Sequence, residues 1–196
     1  MKVIFATNNI NKLKEIQHAL GNSFELLSLK DVSFSGDIPE TGETLEDNAL
    51  QKAKYIANRY DYPVFADDTG LEIDFLKGRP GVHTAHYSGS RDSIQNMSKV
   101  LNELGETENR AARFRTIIAF VSDGDFKLFE GKVEGKIALD RGGEKGFGYD
   151  PIFIPEGQSR TFAEMTMEEK SQQNHRVRAL KKFIAYLSDL QTQSSL

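Results

Sequence analysis

The chain has 196 residues, a formal net charge of -4 and no cysteine. That excludes disulfides, thiolate metal sites and a cysteine nucleophile. It also offers no general attraction to nucleic acid or anionic membrane, so any phosphate site must be local. The length suits one large domain or two small lobes. No stretch approaches a membrane span, and the apolar run Met1 to Ala6 is too short for a signal sequence. A cytoplasmic protein is expected.

Val3 to Ala6 reads as a first strand, running into the polar loop Thr7-Asn8-Asn9-Ile10-Asn11-Lys12. A helical pattern follows, with Leu13, Ile16 and Leu20 on one face and Gly21 as its stop. Strand, polar loop and helix N-terminus together make an anion site, because backbone N–H groups and the helix dipole favour phosphate there. Lys12 adds a cation where it is unfavourable for the helix itself, which either marks a ligand or is an ordinary solvated lysine. The loop has no Walker-type glycine pattern.

A second strand is expected over Phe24 to Leu29, then a poorly periodic stretch to Gly42 that carries Glu40 in the turn Pro39-Glu40-Thr41-Gly42. Thr44-Leu45-Glu46-Asp47 has the form of a capping box. It opens a helix whose apolar face is Leu45, Ala49, Ala53, Ile56 and Tyr60. Glu40 lies outside that helix and is a candidate metal ligand or a solvated loop residue.

Pro63-Val64-Phe65-Ala66 reads as a short buried strand ending in Asp67-Asp68-Thr69-Gly70, after which apolar alternation resumes. Ligands in open α/β sheets sit at carboxyl ends of strands. Successive strand side chains point to opposite faces, so one of the two aspartates at most faces a given ligand. Two carboxylates ~4 Å apart repel by about 4 kcal/mol at an effective dielectric near 20. A divalent cation or a pKa shift relieves this. The alternative is a plain turn, since Asp, Thr and Gly are turn residues.

After a break at Gly78-Arg79-Pro80-Gly81, the segment Val82 to Gly89 reads as a loop, its His83 and His86 weighed as packing or surface residues. Ser90 or Asp92 caps a helix with the face Ile94, Met97, Leu101 and Leu104, stopped by Gly105. Ala112 to Val121 and Phe126 to Val133 form a hairpin about Asp123-Gly124, which makes the sheet mixed. Phe114, Thr116, Ile118 and Phe120 share one side of the first strand; Arg113 and Arg115 face the other, toward phosphate or water.

Four glycines interleaved with aromatics in Gly142 to Tyr149, followed by Asp150-Pro151, form a loop that is costly to order without close backbone approach. Phe147 and Tyr149 offer flat faces for a base. Thr166 to Glu169 is another capping form. Lys170, His175 and Arg176 gather donors near the last helix, whose inner face is Val177, Leu180, Ile184 and Leu187.

These segments resemble, in order, the inosine triphosphate pyrophosphatase family. The matching stretches are Ala6 to Lys12, Glu40 to Thr44, Ala66 to Leu71, Gly78 to Val82, Gly146 to Pro151, Glu169 to Ser171 and His175-Arg176. Thr69 stands where many bacterial members carry serine. The resemblance implies an α/β fold with an elongated mixed central sheet flanked by helices, and two lobes with an active-site cleft between them. It implies a single domain over residues 1–190 with a frayed tail over 191–196, and a homodimer. The implied reaction is Mg2+-dependent hydrolysis of non-standard purine nucleoside triphosphates (ITP, dITP, XTP) to monophosphate and pyrophosphate. Carried over by position, Asp68 holds metal and acts as general base, and Glu40 is a second metal ligand. Thr7, Asn8, Asn9, Ile10, Asn11 and Lys12 cradle phosphate, with Lys12 countering charge. Thr69, Phe147, Gly148, Tyr149, Asp150, Lys170, His175 and Arg176 hold phosphate, sugar and base.

Backbone donors meeting a 6-oxo group would discriminate against adenine by roughly 5- to 150-fold per contact. Two alternatives stand beside this: a Maf-type nucleotide pyrophosphatase of other base preference, and a nucleotide-binding sensor without turnover. Phe147 to Asp150 with Lys170, His175 and Arg176 argue against the first. Lys12, Glu40 and Asp68 argue against the second.

Overall fold

The structure is a computed structural model that describes residues 1–10, 12–13, 16–17 and 24–193. Its strands are β1 (Lys2–Phe5), β2 (Glu25–Leu27), β3 (Val64–Ile73), β4 (Ala111–Ser122), β5 (Asp125–Ile137) and β6 (Phe153–Pro155). They form one sheet in the order β2-β1-β3-β4-β5-β6. β1 pairs in parallel with β2 and β3, and β5 with β6 in antiparallel, so the sheet is mixed. Helices α1 (Leu45–Ala57), α2 (Ser93–Leu104), α3 (Met167–Gln173) and α4 (His175–Gln193) complete the frame. No helix among the described residues is long and apolar enough to cross a membrane.

The chain divides into two compact units. The first comprises Met1–Asp68, Ile117–Glu130 and Ala179–Leu196; the second comprises Thr69–Thr116 and Gly131–Arg178. Each has its own core. In the first unit Phe5 and Phe65 stack with centroids 4.5 Å apart, and Phe65 meets Phe183 of α4 at 4.8 Å. All three are fully buried, each contributing about 1.5–3 kcal/mol of apolar burial. In the second unit Phe114, Phe153 and Phe162 pack together, with Leu71, Ile73, Met97, Val100 and Tyr149 around them.

The central strand differs from its sequence reading. β3 does not end at Ala66 but runs unbroken through Asp67-Asp68-Thr69-Gly70 to Ile73. Its flanks explain this: β1 pairs with its first half, at Val64 and Phe65, and β4 lies on its other side. The ladder therefore continues through residues that alone would favour a turn, and each aspartate has a lysine partner. The hairpin forms as expected. Asp123 and Gly124 have φ of 52° and 83°, the double left-handed geometry that lets a two-residue turn follow the strand twist.

Other elements shift. The second strand shortens to Glu25–Leu27, and β5 extends four residues past Val133, to Ile137. Val82 to His86 is part of a 3-10 helix, Gly81–His86, and not a loop; His83 and His86 are exposed. Thr44 caps α1 by accepting from the Asp47 N–H, and Asp92, not Ser90, caps α2. The buried face of α2 is Met97, Val100 and Leu104, while Ile94 is 53% exposed. The Thr166 capping box forms in both directions but serves the short α3 alone. At Asn174 ψ is 130°, so α4 starts afresh, with the Asn174 Oδ1 accepting from the Arg176 N–H. β6 was not anticipated. At Gly135, opposite it, a Cβ would come within 2.3 Å of the Ile154 carbonyl oxygen, so only glycine admits this edge. The first helix is seen at Ile10, Lys12, Leu13, Ile16 and Gln17; Asn11, Leu20 and Gly21 lie outside the described residues, as does 194–196 of the tail.

Candidate active site

The first unit holds a cluster of opposite charges on β3, α1 and two loops. Alternation sends Asp67 and Asp68 to different partners. Asp67, with a side chain 1% exposed, pairs with Lys12 Nζ at 2.8 Å. Asp68 Oδ1 lies 3.1 Å from Lys52 Nζ, and the same ammonium meets Glu40 Oε1 at 2.5 Å. Lys52 was missed in the sequence. It sits on the buried face of α1, three residues after Ala49 and four before Ile56, where a lone lysine in an apolar stripe was the available signal.

Burial pushes the Asp68 carboxyl above the ordinary aspartate range; Lys52 and Lys12 draw it back only in part, and Glu40 adds to the rise. For Lys52 burial acts downward, yet Asp68, Asp67 and Glu40 outweigh it and hold the ammonium above its usual value. A carboxyl raised by burial beside a lysine held charged can accept a proton next to a fixed positive charge.

Glu40 and Asp68 each present an oxygen to the Lys52 ammonium, and a pair of carboxylates gathered about one cation is a donor set whose chemistry suits a hard divalent ion. Among the described residues no group of three or more His, Asp or Glu side chains is placed to hold a metal ion by itself. The protein would thus supply two carboxylates and leave the other positions to water and phosphate oxygens, the usual habit of Mg2+. On that test the residues fit such an ion.

In the loop after β1, Asn9 Oδ1 accepts from the Lys12 N–H and the Asn9 carbonyl from the Leu13 N–H. Asn9 thereby caps the helix, while Thr7 Oγ1 accepts from the Asn9 N–H. Asn8 donates to the Gly36 carbonyl, and Ile10 is exposed. The loop is ordered by its own side chains at a helix N-terminus, as an anion cradle requires.

The second unit holds another group. Asp150 is buried, accepts from the Phe147 N–H at 2.9 Å and pairs with the buried Lys170 ammonium. Gly146 is required here: a Cβ would lie 2.2 Å from Asp150 Oδ2, and φ is 84°. Gly148, at φ 61°, completes the turn. Phe147 is 63% exposed, with Lys170 Nζ 4.8 Å from its ring centroid. Tyr149 offers no such face. Its ring lies in the core, and its hydroxyl donates to the Thr84 carbonyl at 2.9 Å. His175 stacks on Phe114 at 5.0 Å, and its Nδ1 lies 2.7 Å from Thr116 Oγ1. Thr116 in turn lies 2.8 Å from Thr69 Oγ1. Arg176, next in the chain, is buried. Arg113 and Arg115, which the sequence left to phosphate or water, are engaged by carboxylates: Arg113 bonds Glu134 and Asp74, and Arg115 bonds Glu72.

A model of the Ham1 family matches residues 3–186. The chain belongs to the Ham1 family. It is 47% identical over 189 residues to the dITP/XTP pyrophosphatase of Christiangramia forsetii, spanning 96% of this chain and all of that one. The corresponding protein of Porphyromonas gingivalis is 49% identical over 181 residues, covering 91% and 93%. The solved Ham1 protein of Staphylococcus aureus superposes with a TM-score of 0.91 at 35% identity, over 96% and 99%. The Ham1 fold and the mixed sheet expected from the sequence agree.

Proposed function

We propose that this chain hydrolyses non-standard purine nucleoside triphosphates, dITP, ITP and XTP among them, to the monophosphate and pyrophosphate. Membership of the Ham1 family and relatives named dITP/XTP pyrophosphatases along nearly the whole chain support the reaction. The observation that carries the mechanism is Lys52, buried between Glu40 and Asp68.

In this reading the loop Thr7 to Lys12 receives the phosphates, with Asn11 among its residues, and Lys12 and Lys52 balance their charge. Asp68 accepts a proton from the attacking water, a role suited to a carboxyl raised by burial. Glu40 and Asp68 hold Mg2+. When bound, that ion neutralises developing charge on the phosphates and acidifies water. Phosphoryl transfer needs positioning and charge balance more than covalent chemistry, and this residue set supplies both. Phe147 stacks on the base, Asp150 holds Lys170 in place, Thr69 donates to a phosphate oxygen, and Gly148, His175 and Arg176 complete the phosphate, sugar and base contacts. Tyr149 acts from the core, by bracing that loop. Backbone donors meeting the 6-oxo group exclude adenine. A cytoplasmic homodimer, each chain one domain of two lobes, belongs to the same reading.

The test is product analysis with Mg2+, offering dITP, XTP and ATP separately, with and without a chelator. Pyrophosphate and monophosphate from dITP and XTP, little from ATP, and none after chelation are expected. Release of single phosphate would overturn the bond assignment. Binding without turnover would make the chain a sensor.

A further inference from the structure

Thr116 lies on β4 among Phe114, Ile117 and Ile118, with no exposed surface. A hydroxyl in such a place must be hydrogen-bonded, and this one has two polar neighbours: Thr69 Oγ1 at 2.8 Å and His175 Nδ1 at 2.7 Å. It has one proton and can donate to only one of them. The other must donate to it. Two arrangements satisfy both contacts. In the first, Thr69 donates to Thr116 and Thr116 donates to Nδ1, so His175 carries its proton on Nε2. In the second, Nδ1–H donates to Thr116, Thr116 donates to Thr69, and the Thr69 proton is released for a ligand. The stack of His175 on Phe114, 21° from parallel, holds the ring while the polarity changes.

We propose that Thr116 is a positioning residue that couples Thr69 to His175, so that an anionic oxygen bound at Thr69 selects the Nδ1–H form of His175. A phosphate oxygen can only accept, so it takes the Thr69 proton and forces the second arrangement. The chain of three side chains then carries the presence of phosphate to the histidine without any backbone movement. This rests on the reading above only in taking Thr69 as a phosphate contact. All the atoms involved belong to one compact unit.

The experiment is 15N NMR of histidine-labelled protein, with His175 assigned by His175→Asn, before and after adding inorganic triphosphate. Thr116→Val and Thr116→Ser are measured beside the parent chain, with a thermal melt of each. In the parent and in Thr116→Ser, triphosphate should move His175 toward the Nδ1–H tautomer. In Thr116→Val the shift should vanish, and KM for dITP should rise roughly 5- to 150-fold while kcat changes little. A folded Thr116→Val that keeps the tautomer shift would overturn the proposal, as would a parent chain that binds triphosphate with no shift. If Thr116→Val does not fold, loss of the shift in Thr116→Ser has the same force. Failure of the parent to split dITP would strike the assigned reaction instead, since the NMR readout needs no turnover.

Discussion

Lys52 Nζ and Asp68 Oδ1 lie 3.1 Å apart, and Glu40 Oε1 lies 2.5 Å from the same ammonium. One lysine therefore balances two carboxylates, and its side chain is only 7% exposed. Removing it leaves Asp68 and Glu40 facing each other without a cation. Lys52→Met keeps the apolar stem and removes the charge. The expected result is a fall in kcat for dITP of roughly 100-fold, the scale of losing one electrostatic stabiliser. Higher Mg2+ should restore part of it, because the ion can take up the same negative charge. Steady-state kinetics across a Mg2+ series decides this; unchanged kcat would remove Lys52 from the site.

Asp68→Asn is nearly isosteric and tests the base separately. Turnover should fall by about 100-fold or more, the usual contribution of a positioned proton acceptor. The melting temperature should hold or rise, since burial disfavours the Asp68 charge in the folded chain. Near-native kcat would remove Asp68 from its role.

How much of this was visible in the sequence depends on whether a residue's partner was local. The hairpin at Asp123-Gly124, the caps at Thr44, Asp92 and Thr166, and the opposed faces of Asp67 and Asp68 follow from short-range rules, and the structure has them. The continuity of β3 depended on strands far along the chain, so its polar middle read as an end. Lys52 was hidden for a similar reason, because its partners lie 12 and 16 residues away. Thr116 counted as one more residue on an apolar strand face until His175, 59 residues on, gave it a partner. Tyr149 and Phe147 looked alike in the sequence. Only packing separates the buried ring from the exposed one.

That separation is testable. Phe147→Ala removes an exposed ring and should leave the melting temperature unchanged. KM for dITP should rise, given that stacking on one base is worth about 1–3 kcal/mol. Tyr149→Phe should do the reverse. It loses the hydroxyl contact to the Thr84 carbonyl, costing about 0.5–1.5 kcal/mol of stability, while the ring stays in the core. Parallel melts and kinetics on the pair would show whether the two aromatics divide these roles. Equal KM changes without loss of stability in either would contradict the assignment.

Tyr87 gives a pH signature independent of turnover. Burial, with the hydroxyl bonded to Glu103 Oε2, pushes its phenol from 10.0 up to about 12, against a smaller opposing pull from Arg79. The folded chain thus holds the proton more tightly than the unfolded chain does. Its contribution is fully present below pH 10 and is lost as the pH climbs toward about 12, because the unfolded phenol ionises first. Tyr87→Phe removes this group from both states. The parent should therefore be more stable than the variant at about pH 8, and that margin should shrink steadily above about pH 10. Urea denaturation of both proteins across this range reads the difference directly, with all other titrating groups common to the pair. A margin that stayed constant to the highest pH would show that Tyr87 ionises alike in the folded and unfolded chain, and that its contact with Glu103 does not hold the proton.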